Sequence, residues 1–301
     1  MKKFGIKILY FLLICGAVAA LFFALVYRVD PDGYFKNDAD SNNPISLMTQ
    51  YKNHPNPYIL IGDSRMNSLR GHMDYFDQRA GEAYFNASFD GASVNEIVDL
   101  FWYCDAYAPL QKVYLGISFY NIQDNYMMYR IEKNVELIRN PWKYVFNYKT
   151  VLDAVQGARG NPANNEPPPA DAPDFPQYAD FVYTICAARN GYHVNQSNML
   201  RLTEVAEYCK ENRIELCFVT FPYHVSIYEN VIKPLDIEGD ISEYKAVLSR
   251  HARTMDTEFL SDFSMNDDHF TDGFHFANKN RFIDAILTGD DPMVRTLYSA
   301  E

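Results

Sequence analysis

The stretch YILIGDS, residues 58–64, decides the fold, because four apolar residues run directly into a turn of small and polar residues. A short apolar run that ends at a glycine is typical of a strand buried in a parallel sheet. Gly62 permits a tight turn, and the side chain of Asp63 can bond to the backbone of the next turn. The pattern predicts that Ser64 lies at the carboxyl end of a buried strand, the edge where parallel sheets bind ligands.

Outward from this stretch, short apolar runs alternate with amphipathic segments, which is the pattern of a parallel sheet with crossover helices. We predict strands at Tyr58–Ile61, Ala83–Asn86, Lys112–Ile117, Ile214–Phe221 and Glu258–Asp262. Apolar residues at helical spacing predict helices at Ser93–Ala108, Leu200–Lys210, Ile241–His251 and Asn278–Leu287. The fold class is therefore α/β.

One segment, residues 122–194, interrupts this alternation. A helix is predicted at Trp142–Ala158, and six prolines predict a loop at Gly160–Pro176. Long loops inside a domain are usually functional or mobile. We expect residues 122–194 to form an insertion that caps or borders a site.

Composition excludes two classes of protein. A hydrophobic fraction of 48% is enough for a sizeable core and excludes a chain disordered throughout. The formal net charge of -12, without a cluster of Lys and Arg, argues against nucleic acid as a partner.

Residues 8–27 form an uncharged apolar segment of twenty residues, long enough to cross a bilayer as a helix. Basic residues precede it and acidic residues follow it, which predicts a cytoplasmic N-terminus and an extracytoplasmic main domain in a single-pass protein of the cell membrane. The alternative is a cleaved signal peptide with Ala17-Val18-Ala19 as cleavage site. We divide the chain into a cytoplasmic tip and anchor (1–28), a linker (29–43) and an outer domain (44–301).

A second polar motif, DDHFTDGFHF at residues 267–276, precedes the last predicted helix. One loop there offers both an imidazole, His275, and a carboxylate, Asp272, to orient it. With Ser64 they would form a nucleophile, base and orienting acid. Two alternatives remain open: Ser64 is only a helix N-cap, or Asp267, Asp268, His269, Asp272 and His275 bind a metal.

The two motifs together resemble the SGNH or GDSL hydrolase superfamily, which has Gly-Asp-Ser after the first strand and Asp-x-x-His before the last helix. The resemblance implies a three-layer α/β/α sandwich, flavodoxin-like, with Ser64, Asp272 and His275 as catalytic residues and no cofactor or metal. It also implies an oxyanion hole formed by the backbone of Ser64, by Gly91 within Asn86–Ser93, and by a third block.

That third block departs from the family pattern, because Gly-x-Asn-Asp is replaced by Gly116-Ile117-Ser118-Phe119-Tyr120-Asn121. Asn121 can lend its amide to the oxyanion, with Ser118 as a competing candidate. Arg65 also departs from the family. It either binds an anionic group of the substrate or pairs with a local carboxylate.

The anchored topology is similar to that of the DltD-like subset of this superfamily and of the acetyl-transfer proteins of exopolysaccharide systems. The resemblance implies an esterase or O-acyltransferase that acts on acyl esters of a cell-surface glycopolymer, beside a membrane-bound O-acyltransferase. The alternative is an accessory protein with weak catalysis that binds the polymer or that partner.

Four cysteines lie outside the anchor, without a Cys-x-x-Cys pair. They are interpreted as buried free thiols. If the compartment is oxidising, Cys209 and Cys217 are the pair to test for a disulfide.

Overall fold

The computed structural model describes residues 2–29, 44–140, 142–143, 174–189 and 191–298. The linker from residue 30 onward lies outside them. So do all but the first two residues of the helix predicted at Trp142–Ala158, and most of the loop predicted at Gly160–Pro176.

The chain divides into two compact units, Met1–Gln50 with Glu132–Glu166, and Tyr51–Ile131 with Pro167–Glu301. In the first unit, helix α1 (Lys2–Val29) contains an apolar stretch, Phe4–Val26, with a mean hydropathy of 2.7. Its 23 residues rise about 35 Å, so α1 is long and apolar enough to cross a membrane. A signal sequence would meet the same criterion.

The second unit is built on a six-stranded sheet in the order β2-β1-β3-β4-β5-β6. Neighbouring strands from β2 to β5 pair in parallel, and only the edge pair β5 and β6 is antiparallel. The strands are β1 (Tyr58–Ile61), β2 (Phe85–Asn86), β3 (Lys112–Gly116), β4 (Glu215–Val219), β5 (Arg253–Asp256) and β6 (Arg295–Leu297). The predicted α/β class with a parallel sheet is confirmed.

Nine α-helices of four or more residues follow α1 within the described residues. They are α2 (Ile45–Asn53), α3 (Ser64–Asn67), α4 (Met73–Ala80), α5 (Val94–Asp105), α6 (Arg130–Arg139), α7 (Phe175–Cys186), α8 (Gln196–Asn212), α9 (Glu238–His251) and α10 (Lys279–Thr288). A further helical segment comprises Val225–Ile227, the π-helical Tyr228–Ile232 and Lys233–Leu235.

Side-chain caps set where several helices begin. Asn195 accepts a hydrogen bond from the N–H of Asn198 at 2.7 Å, so α8 begins four residues before its predicted start. The carboxylate of Glu96 lies within bonding distance of the N–H of Ser93 in a capping box that starts α5. Apolar periodicity alone missed the start of α8, because a cap is a local polar contact.

The fifth strand was predicted wrongly at Glu258–Asp262. The strand is Arg253–Asp256, and the backbone N–H groups that follow it donate to side chains. Thr220 Oγ1 accepts from the N–H of Thr257 at 2.9 Å, and Asp256 Oδ1 accepts from the N–H of Glu258 at 3.1 Å. Strand pairing ends there because these N–H groups bond to side chains.

Two sets of helices contact the sheet. Helices α5, α8 and α9 contact β1, β4 and β5 respectively, and α8 contacts both of the others. Helices α4 and α10 contact each other. Phe76 of α4 and Phe282 of α10 belong to a buried cluster with Leu60, Tyr114 and Val219 of the sheet.

The four cysteines outside α1 are buried free thiols, as interpreted from the sequence. Cys209 lies in α8 and Cys217 in β4. Burial raises the pKa of each of these two thiols to about 12.

Candidate active site

Ser64 is the first residue of α3, directly after β1 and the connecting pair Gly62-Asp63. Asp63 caps this helix, since its carboxylate accepts a hydrogen bond from the N–H of Arg65 at 3.0 Å. A side chain at position 62 would place its Cβ 2.7 Å from Cβ of Met66, so only glycine allows the helix to start this close to the strand. The turn therefore has the geometry expected from YILIGDS.

Ser64, His275 and Asp272 form a hydrogen-bonded chain. Oγ of Ser64 lies 2.7 Å from Nε2 of His275, and Nδ1 of His275 lies 2.7 Å from Oδ2 of Asp272. The side chains of His275 and Asp272 are 26% and 28% exposed, which leaves the chain accessible from solvent. The three residues predicted from the two motifs are thus in contact.

Backbone donors hold the carboxylate of Asp272. Its Oδ1 accepts from the N–H groups of Phe274 and His275, at 2.8 and 2.7 Å. Burial opposes ionisation of Asp272, but the bonds from His275 and Phe274 outweigh it and hold the pKa of the carboxyl below its ordinary value. An ionised Asp272 makes Nδ1 of His275 the donor, so Nε2 is left to accept the proton of Ser64.

The loop that carries the histidine closes on itself. The N–H of Thr271 donates to the carbonyl of His275 at 2.8 Å, and Phe270 forms a bridge with Phe276. Phe270, Phe274 and Phe276 are buried, so the apolar residues that alternate through this loop anchor it while Asp272 and His275 stay at the surface.

Gly91, expected to contribute to an oxyanion hole, lies in the connection between β2 and α5 with a φ of +63°. Its carbonyl accepts from Nη2 of Arg130 at 2.6 Å and from the hydroxyl of Tyr126 at 3.2 Å. Nearby, Asp90 accepts from the amide of Asn67, a residue of the helix that Ser64 begins. The segment that contains Gly91 is therefore tied to the helix that Ser64 begins.

Asn121 is fully buried, and both ends of its amide are bonded. Nδ2 donates to Asp63 at 3.2 Å, and Oδ1 accepts from the N–H of Ser118 at 3.0 Å. These bonds are internal contacts of the protein, and the oxyanion role expected for Asn121 stays a prediction. The contact with Asp63 ties the end of β3 to the end of β1.

Arg65 and Ser118 are also buried, and they bond to each other through Nη2 and Oγ at 2.5 Å. Arg65 forms an ion pair with Asp63, with Nε 3.1 Å from Oδ1. Of the two alternatives for Arg65, the structure has the pairing with a local carboxylate. The substrate-binding roles expected for Arg65 and Ser118 are not seen.

Tyr178 borders the site and was not found by sequence reasoning. It lies on α7, and its ring centre is 6.0 Å from that of His275 and 5.9 Å from that of Phe274. It belongs to the segment 122–194, part of which therefore lies beside His275. A tyrosine in an irregular segment carries no spacing signal that could have singled it out.

Asp267, one of the candidate metal ligands, contacts a different histidine, His224. Its Nε2 lies 3.0 Å from Oδ1 of Asp267 and its Nδ1 lies 2.9 Å from Oγ of Ser226, so Asp267 pairs with His224 rather than with His275. His269 bonds to the carbonyl of Phe263. Within the described ranges, no group of three or more His, Cys, Asp and Glu side chains is arranged to hold a metal ion.

No protein-family model matches this chain, and comparison with curated proteins finds no match.

Proposed function

We propose that the chain is a membrane-anchored serine esterase or O-acyltransferase of the SGNH type, with Ser64 as its nucleophile. The observation that supports this most is the contact of 2.7 Å between Oγ of Ser64 and Nε2 of His275, continued to Asp272. A serine at a strand end, a histidine base and an ionised carboxylate are the parts that acyl transfer requires.

In the proposed reaction, Oγ of Ser64 attacks the carbonyl carbon of an ester while Nε2 of His275 takes the hydroxyl proton. The tetrahedral intermediate collapses, the ester C–O bond breaks, and His275 returns the proton to the departing alcohol. Water or a sugar hydroxyl then attacks the carbonyl carbon of acyl-Ser64 and gives its proton to His275. The bond between the acyl carbon and Oγ breaks, and His275 returns the proton to Ser64. Asp272 stabilises the imidazolium at both stages.

The N–H of Ser64 is one candidate donor to the oxyanion, because the first N–H groups of a helix lack partners within it. Gly91 is the second. Its segment is joined to the nucleophile helix by the bond between Asp90 and Asn67.

The fold that we infer is the three-layer sandwich of this superfamily. The order of its first five strands, β2-β1-β3-β4-β5, is that of flavodoxin-like sheets, in which ligands bind beyond β1 and β3. Ser64 and Ser118 follow those two strands. The helices fall into one set with α5, α8 and α9 and another with α4 and α10, as expected for layers on opposite faces.

We infer that the domain lies outside the cell. Helix α1 supports an anchor, and basic residues before it with acidic residues after it support a cytoplasmic N-terminus. The proposed substrate is an acyl ester of a cell-surface glycopolymer, and the proposed partner is a membrane-bound O-acyltransferase. Alkaline phosphatase fused to the C-terminus should be active, whereas an inactive fusion would contradict this orientation.

The nucleophile is tested by Ser64→Ala with a fluorophosphonate that labels activated serines. Wild-type protein should be labelled at Ser64, and the variant should lose labelling while its circular dichroism is unchanged. Ser226→Ala is the matched control, because Ser226 also contacts a histidine, at 2.9 Å, and should not affect labelling. Labelling that persists in Ser64→Ala contradicts the proposal.

An accessory role with weak catalysis is the second candidate, favoured by one observation. The amide of Asn121 is buried and bonded to Asp63 and Ser118, which argues against Asn121 as the third oxyanion donor of the family. Loss of one such donor typically lowers kcat by about 10²- to 10³-fold. Co-purification with an acyltransferase whose activity survives Ser64→Ala would favour this role over the first.

A further inference from the structure

The guanidinium of Arg65 lies between two aromatic rings inside the protein. Its side chain is 1% exposed, and its central carbon is 4.5 Å from the ring centres of both Phe221 and Phe274. In its own plane the group donates to Asp63 and Ser118. Burial disfavours its charge, but Asp63 more than compensates and raises the pKa of Arg65 above its ordinary value.

These contacts come from four separate parts of the chain. Asp63 follows β1, Ser118 follows β3, Phe221 follows β4, and Phe274 belongs to the loop that carries the histidine. Arg65 is thus a direct link between the turn of the nucleophile and the loop of its base. Phe274 directly precedes His275, and its N–H donates to Asp272 at 2.8 Å.

Stability alone does not call for an arginine here. A buried ion pair can often be replaced by apolar residues of similar volume without loss of stability, since desolvation offsets the attraction. An arginine offers something else, a flat group that bonds in its plane and contacts a ring on each face. A lysine ammonium keeps the charge, but it is not planar and cannot contact an aromatic ring on each of two faces.

We propose that Arg65 is a positioning residue that fixes the ring of Phe274, and through it holds Nε2 of His275 within bonding distance of Ser64. This role rests on the proposed function. It acts on the separation between nucleophile and base, and Arg65 itself does not contact the substrate. Misplacement of a catalytic group by about 1 Å can lower a rate by about 10²-fold.

The experiment is a double-mutant cycle of Arg65→Lys and Phe274→Leu in the full chain. The rate constant for fluorophosphonate labelling is measured from pH 5 to 9 on protein whose folding is verified by circular dichroism. Each single variant should be labelled about 10- to 100-fold more slowly, and the double variant no more slowly than the worse single variant. The midpoint of the pH profile should also move, because His275 loses its fixed hydrogen bonds.

Arg281→Lys is the matched control. Arg281 also lies over a ring, 5.3 Å from Phe263, and pairs with Asp291 at 2.8 Å, but it belongs to α10. Its replacement should leave the labelling rate and the pH profile unchanged. An equal effect in Arg281→Lys would show that the loss is general and would overturn the positioning role.

Other outcomes separate the two proposals. Wild-type protein without labelling at Ser64 would overturn the proposed function itself. Labelling at Ser64 that is as fast in Arg65→Lys as in wild type, or effects that multiply in the double variant, would overturn only the role of Arg65. Should Arg65→Lys not fold, the labelling of Phe274→Leu is the test. A wild-type rate and pH profile in Phe274→Leu would overturn the positioning role of Arg65.

Discussion

Nε2 of His275 lies 2.7 Å from Oγ of Ser64, although 211 positions separate the two residues in the chain. The serine is held by a helix start after β1, and the histidine by a closed loop before α10. Neither segment can form this contact without the sheet and helices that bring them together.

Asp272→Asn tests whether the carboxylate orients the imidazole. An amide can donate to Nδ1 and leave the wrong nitrogen facing Ser64, so labelling should fall about 10³- to 10⁴-fold without unfolding, as measured with the fluorophosphonate. Asp267→Asn is the control, because this exposed carboxylate pairs with His224 instead. Equal labelling of wild type and Asp272→Asn would show that Asp272 does not orient the base.

Gly91→Ala tests the proposed oxyanion role of Gly91. At a φ of +63° an alanine is strained, which should lower the free energy of unfolding by about 1–2 kcal/mol, and its Cβ would lie 3.1 Å from the hydroxyl oxygen of Tyr126. Gly81→Ala has the same kind of strain, at a φ of +83°, but in open space. Urea denaturation should show similar losses for both variants, whereas labelling at Ser64 should fall only for Gly91→Ala. Equal labelling of the two variants would show that Gly91 does not contribute to the proposed oxyanion hole.

The raised pKa of Glu258 predicts how the free energy of unfolding varies with pH. Its carboxyl is buried, which raises its pKa to about 7 against opposing contributions from Lys245, Tyr244 and others. Between the ordinary carboxyl range and pH 7, the folded protein therefore binds a proton that the unfolded chain has lost. This group lowers stability as pH rises through that window, by at most about 1.4 kcal/mol per pH unit, and has no further effect above it.

Glu258→Gln should remove this dependence, because an amide does not titrate. The free energy of unfolding measured in urea at pH 5, 6 and 7 should change less with pH in Glu258→Gln than in wild type. The exposed Glu243 provides the control, Glu243→Gln, which should retain the wild-type slope. An unchanged slope in Glu258→Gln would show that Glu258 does not titrate in this range.

Ile14→Arg tests the anchor, since Ile14 lies near the middle of the apolar stretch Phe4–Val26. A charge there costs about 2.5–3.5 kcal/mol of insertion free energy, so less protein should sediment with alkali-washed membranes. Ile14→Leu should sediment like wild type. The mass of the mature wild-type chain separates an anchor from a signal peptide, because a cleaved chain would lack α1.

Local pattern was sufficient for much of the fold. The apolar run Tyr58–Ile61 was predicted with its observed bounds, and β3 and β4 fall within their predicted ranges, because a strand buried between helices needs continuous apolar side chains. The exposed edge strand β6, Arg295–Leu297, has no such run and was not predicted. Ser64, Asp272 and His275 were predicted as candidate catalytic residues from their residue types at the ends of predicted elements.

Contacts across the chain decided the rest. Nothing local tells that the amide of Asn121 bonds to Asp63, that Tyr178 reaches His275, or that Arg65 lies between Phe221 and Phe274. Local sequence determines whether a residue can end a strand, cap a helix or accept a proton, because those properties depend on neighbours within a few positions. Which polar groups are buried, and what each of them bonds to, depends on segments that meet only when the sheet forms.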